Sequence, residues 1–228
     1  MGLLTKLRPG TEAETAFPAH AANGAENLRA SNGLKEFLRH LGSPEGARVL
    51  DLGPVSQSTV DFFTGRRYKV YTNDLLRAWH DFLAAELAAM MAAKPGAADP
   101  SNRSDPAERA ARFVAAVLEY PAESFHGVLA WDVADYLPPE VVQAFVARLH
   151  ELVRPGGAVL AIFHSRAPER FHRYRVLNAE GVECLPATAS VPFGKVLPNR
   201  EILNLFSMFR SSKTFVGRDQ IREALFTR

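Results

Sequence analysis

Several acidic side chains fall where apolar runs end, and in an α/β chain strand ends are where ligands are met. Asp51 closes the run Arg48-Val49-Leu50, Asp74 follows Tyr68 to Thr72 and Asn73, and Asp132 and Asp135 follow Phe125 to Trp131. A carboxylate at the tip of a second parallel strand, roughly twenty residues after a turn glycine, is placed to accept hydrogen bonds from ribose hydroxyls. Asp74 stands in that relation to Gly53. Gly53-Pro54 punctuates the chain, and Ser56, Gln57 and Ser58 offer capping groups to a helix whose first N–H groups suit an anion or a polar ligand head. Trp131, Asp132, Asp135 and Tyr136 cluster after one apolar run, and His164 with Ser165 directly follows another. Imidazole titrates near neutral pH, so His164 is the candidate general base for an O or N nucleophile. Each has a plainer reading: a histidine hydrogen-bonded at a strand end, a tryptophan anchoring the packing, and a strand–helix–strand unit that packs without a ligand.

The elements that would position these groups alternate. Val49 to Leu52, Tyr68 to Thr72, the start of Phe125 to Leu137 and Ala158 to Phe163 read as strands buried on both faces. Between them lie helical stripes: Leu34, Phe37, Leu38 and Leu41 within a helix from about Ala25 to Leu41; Trp79, Phe82, Leu83, Leu87 and Met90 from Leu75 onward; and Val141, Val142, Phe145, Val146, Leu149 and Leu152 after Pro138-Pro139-Glu140. Asp105-Pro106-Ala107-Glu108 supplies a cap, a first-turn proline and an acid for a further helix. A third strand is at best a short one near Leu118 to Tyr120. The last third departs from alternation. Tyr174 to Leu177 and Val182 to Leu185 form a hairpin, a helix follows Pro198-Asn199, and Ser212 to Val216 pairs with Ile221 to Thr227. The fold class expected is α/β, a doubly wound, mostly parallel sheet with a C-terminal antiparallel hairpin and a short or missing third strand.

At 228 residues the chain fits one domain able to bury a core without disulfides. Residues 1–22 read as a flexible arm, 23–228 as the domain, and 171–197 as a hairpin insertion near the mouth of the site. One cysteine, Cys184, excludes an internal disulfide framework and fits a reducing cytoplasm. No histidine spacing reads as a metal site, and no stretch approaches the roughly eighteen apolar residues of a membrane span. Net charge is +2, but from His164 onward eleven Lys and Arg face six Asp and Glu. That part is near +5 and the rest near −3, which favours an anionic substrate there or is simply a solvated basic face. The absence of Gly-x-Ser-x-Gly argues against hydrolase chemistry, and the absence of Gly-x-Gly-x-x-Gly at Gly53 argues against an NAD-dependent oxidoreductase.

Val49-Leu50-Asp51-Leu52-Gly53 followed by Asp74 resembles the first two motifs of class I S-adenosylmethionine-dependent methyltransferases. Phe125 to Leu137 resembles the family's fourth strand, with His126 for the usual aspartate. Leu152-Val153-Arg154-Pro155-Gly156-Gly157 resembles the turn into its fifth. The resemblance implies a Rossmann-like methyltransferase fold, S-adenosyl-L-methionine as cofactor and in-line methyl transfer. It implies cofactor contacts from Asp51, Gly53, Pro54, Val55, Asp74, Leu75, Glu119 and Trp131, with His164 and Asp132 as catalytic groups. It also places Asn27, Arg29 or Asn32 near a substrate pocket. The acceptor expected is a small molecule, because no separate nucleic-acid module is visible. The family's loop reads acid-x-Gly-x-Gly-x-Gly, and here Val55 and Gln57 replace two of the glycines. A branched side chain resists positive φ and the close approach of a ligand. The alternative is therefore a non-catalytic methyltransferase-like binding or scaffold protein.

Overall fold

The apolar runs and helical stripes build two sheets and their helix layers in a computed structural model, which describes residues 28–42, 45–92, 105–217 and 219–228. The 1–22 arm and Asn27 lie outside the described residues. In chain order the elements are β1 (Leu28–Ala30), α1 (Asn32–Leu41), β2 (Arg48–Asp51), α2 (Gln57–Thr64), β3 (Lys69–Thr72) and α3 (Leu75–Ala92). There follow α4 (Pro106–Val117), β4 (Phe125–Trp131), a 3-10 turn Val133–Asp135, α5 (Pro139–Leu152) and β5 (Val153–His164). The chain closes with β6 (His172–Asn178), β7 (Gly181–Pro186), α6 (Asn199–Leu205), β8 (Ser211–Val216) and β9 (Ile221–Thr227).

The central sheet has the order β3-β2-β4-β5-β9-β8. Its first four strands are parallel, and β9 joins antiparallel to both β5 and β8. Successive side chains on a strand point to opposite faces, so Leu50, Val128 and Val159 enter one core with α3, α4 and α5. Val49, Leu129 and Leu160 enter the other with α1 and α2. This is the α/β sheet with a terminal antiparallel hairpin, and residues 118–121 form no strand. Leu118 is fully buried at the end of α4, and Pro121 lacks the N–H a ladder would need.

Two readings of local structure change. The helix expected from about Ala25 starts at Asn32, capped by Ser31, whose Oγ accepts from Leu34 N at 2.9 Å. The residues before it, Leu28–Ala30, pair with β7 instead, so inter-strand pairing prevails over helical pattern. The hairpin β6–β7 is then part of a separate antiparallel sheet of order β1-β7-β6. That sheet packs on α2, with Val176 N donating to the buried Thr59 Oγ1 at 2.9 Å. Among the described residues no helix is long and apolar enough to cross a membrane.

Candidate functional site

Strand order reverses between β2 and β4: β3 flanks β2 on one side and β4 on the other. In open α/β sheets the crevice at such a reversal, at the carboxyl ends of the strands, is the ligand site. Here β2 delivers Asp51 and, past it, Leu52 and Gly53, while β4 delivers Trp131 and Asp132. Asp51 is buried; its Oδ1 accepts from Gly53 N at 3.1 Å and from Trp131 Nε1 at 2.6 Å. Burial pushes its carboxyl up to about 6, against the pull of the indole and Gly53 N–H groups, and Asp74 adds to the rise. Asp74, just beyond β3, also accepts from Arg77 N at 3.1 Å and so helps start α3.

Asp132 is buried where β4 ends. Tyr174 OH donates to its Oδ2 at 3.3 Å, and His164 Nε2 lies 3.9 Å from the same oxygen. Burial raises Asp132 to about 7; His164 opposes the rise and Asp135 adds to it. His164 ends β5, with its backbone N donating to Asp135 Oδ2 at 2.7 Å and its Nδ1 2.9 Å from that oxygen. Asp135 is itself raised by burial, against the His164 hydrogen bonds. Its Oδ1 and the Tyr136 hydroxyl are buried with no hydrogen-bond partner among the described residues. A second cavity, of about 310 Å³, lies beside this group and is lined by His164, Arg166, Arg170, His172 and Ile221. His172 also borders the mouth, and its pKa is lowered by burial first, then by His164 and Arg170.

Of the residues named from sequence, Asp51, Gly53, Pro54, Asp74, Trp131 and Asp132 come together at the mouth, with His164 in the adjoining cavity. Val55, directly after Pro54, has a side chain 62% exposed, and Leu75, directly after Asp74, has its side chain in the core, whereas Glu119, which follows α4 and precedes β4, is at the amino end of the sheet. There it lines a groove with Arg148 and Glu151. Arg29 pairs with Asp219 and Glu223, and Asn32 is an exposed first residue of α1. Sequence reasoning set the hairpin near the mouth but did not single out Phe171, just before β6, or His172 and Tyr174 within it, all of which line the mouth. The aromatic and histidine content of residues 171–174 was the available signal.

The polar groups suit S-adenosylmethionine: a carboxylate for an ammonium, a backbone N–H at Gly53, and a second carboxylate for ribose hydroxyls. Trp131 and Tyr174 stack across the mouth with ring centroids 5.6 Å apart and planes at 11°, and the cleft they border among the described residues is narrow, about 10 Å³.

No protein-family model matches the chain, and no curated protein matches it. Solved structures share its arrangement of strands and helices. One is 1,6-didemethyltoxoflavin-N1-methyltransferase of Burkholderia thailandensis with 1,6-didemethyltoxoflavin and S-adenosylhomocysteine bound. It is 17% identical over 86% of this chain and 76% of its own, with TM-score 0.43. A SAM dependent methyltransferase from Archaeoglobus fulgidus is 9% identical over 86% of this chain and 92% of its own, with TM-score 0.46. The glycopeptide N-methyltransferase MtfA complexed with S-adenosylmethionine is 14% identical over 93% of this chain and 99% of its own, with TM-score 0.39. Identities and scores this low leave both fold and chemistry to be read from the chain's own strands and side chains.

Proposed function

We propose that this protein is an S-adenosylmethionine-dependent methyltransferase acting on a small-molecule acceptor. The observation that carries the reading is the acidic pair at the strand reversal, Asp51 and Asp74, on either side of Gly53. The 310 Å³ cavity beside it has the size of a small-molecule site. Within this reading Asp132 and His164 are the groups that take the acceptor's proton. A carboxyl raised to about 7 accepts a proton near neutral pH without being a strong acid, and Asp135 fixes the orientation of His164. Calorimetry with S-adenosylhomocysteine tests it. Binding that Asp74→Ala weakens by tenfold or more is expected; no binding at millimolar ligand, by the native protein or by Trp131→Ala, would sink the proposal.

A second reading, a non-catalytic methyltransferase-like binding protein, is favoured by one specific observation: the Trp131 indole already satisfies Asp51. Transfer of a labelled methyl group from S-adenosylmethionine to any acceptor in a small-molecule panel would remove it.

A further inference from the structure

Trp131 is an unusual residue for the end of a buried strand. Its backbone is left-handed, at φ +47°, a conformation costly for a bulky side chain and often found where strain serves function. It comes directly after a register shift between Leu129 and Trp131 in the β4–β5 ladder. Such irregularities re-aim a side chain, and here the indole is turned back across the mouth. It is 2% exposed. A Cβ on Gly53 would lie 2.6 Å from Trp131 Cδ1 and 2.8 Å from Nε1. The one glycine kept in the loop is therefore the one that lets the indole approach the backbone.

We propose that Trp131 and Tyr174 form an aromatic closure of the cofactor cleft: the indole N–H holds Asp51, the carboxylate a cofactor ammonium would use, and binding requires the indole to swing out. The inference rests on the methyltransferase reading and gives that site a regulation. Tyr174 is the moving half. It belongs to β6, in the small sheet that packs on α2 rather than pairing into the central one, and it meets the end of β4 through the ring stack and its hydrogen bond to Asp132. Displacing β6 uncovers Trp131, and rotation of the indole frees Asp51. A closed form populated nine to one or more lowers the apparent affinity about tenfold or more, and that penalty disappears when the closure is removed.

Trp79 and Trp131 are the only tryptophans, so Trp79→Phe leaves Trp131 as the single indole reporter. If Trp79→Phe does not fold, the two indole N–H resonances of the native protein give the same information, assigned with Trp131→Ala. The expected results are an indole protected from acrylamide in the free protein and exposed by S-adenosylhomocysteine, with Trp131→Ala binding that ligand at least tenfold more tightly. Trp131→Phe, which keeps a ring but loses the N–H, should fall between. An indole accessible without ligand overturns the closure, as does equal binding by the native protein and Trp131→Ala; the latter leaves the methyltransferase reading standing. Absence of binding by both proteins, each folded and with Trp131 protected in the native one, removes the methyltransferase reading and reduces Trp131 to core.

Discussion

Asp132 is asked to be both buried and polar, and burial dominates. Desolvation carries it to about 7 although His164 is within 3.9 Å, so at neutral pH it exchanges a proton readily. A base must be ionised to act, so methyl transfer should rise as pH climbs through about 7, and Asp132→Asn should flatten that rise in a pH–rate profile. Stability should move in the opposite direction. A carboxyl raised in the folded state contributes stability that is complete below the unfolded pKa and lost as pH rises through the folded one. Native protein should lose on the order of 2–4 kcal/mol of this contribution between pH 4 and 8, and Asp132→Asn should lose correspondingly less, by urea unfolding at the two ends. At this scale Asp51, Gly53, Asp74 and Asp132 were legible, because a strand end followed by a turn is a local pattern. Trp131 was legible as a neighbour but not as an occupant. Its partner Asp51 is remote in the chain, and neither its left-handed backbone nor the stacking of Tyr174 leaves a mark in composition or period.

The small sheet decides how the mouth is roofed, and it depends on one arginine. Arg29 in β1 bonds Glu223 of β9 and Asp219 just before it. The buried Glu223 also accepts from Gly33 N at 2.7 Å at the start of α1. Removing one partner of a buried pair leaves an uncompensated charge. Arg29→Ala should therefore destabilise the fold by about 3–5 kcal/mol, measurable as a fall in the urea midpoint; a change no larger than that of an exposed pair would show that Glu223 is satisfied otherwise. The hairpin β6–β7 could be read from its turn residues. Its third strand could not, since Leu28–Ala30 is too short to show a period and takes its conformation from β7. Caps were more legible: Asp105 accepts from Ala107 N at 3.2 Å, ahead of a first-turn proline, because capping is written within a few adjacent residues.

At the scale of the whole molecule, the central sheet is made of four parallel strands followed, later in the chain, by the antiparallel pair β8 and β9. Strand β9 does not lie at an edge: it runs between β5 and β8, with His164 opposite Ile221 and Ala158 opposite Thr227. Because β9 follows all four parallel strands in the chain, β5 can pair with it only after they have been made. During synthesis the first four parallel strands can assemble while β5 still presents an open flank of unpaired N–H and C=O groups, and such a flank templates association between chains. A chain ending at residue 220 should accordingly be recovered as aggregate in light scattering, where the chain through residue 228 stays dispersed. The same strand carries Arg222, which donates to the His164 carbonyl at 2.8 Å, and Glu223, which fixes Arg29. The order of birth thus becomes an order of assembly: the residues that bond His164 and Arg29 are made after the four parallel strands, and these contacts do not exist before β9 emerges.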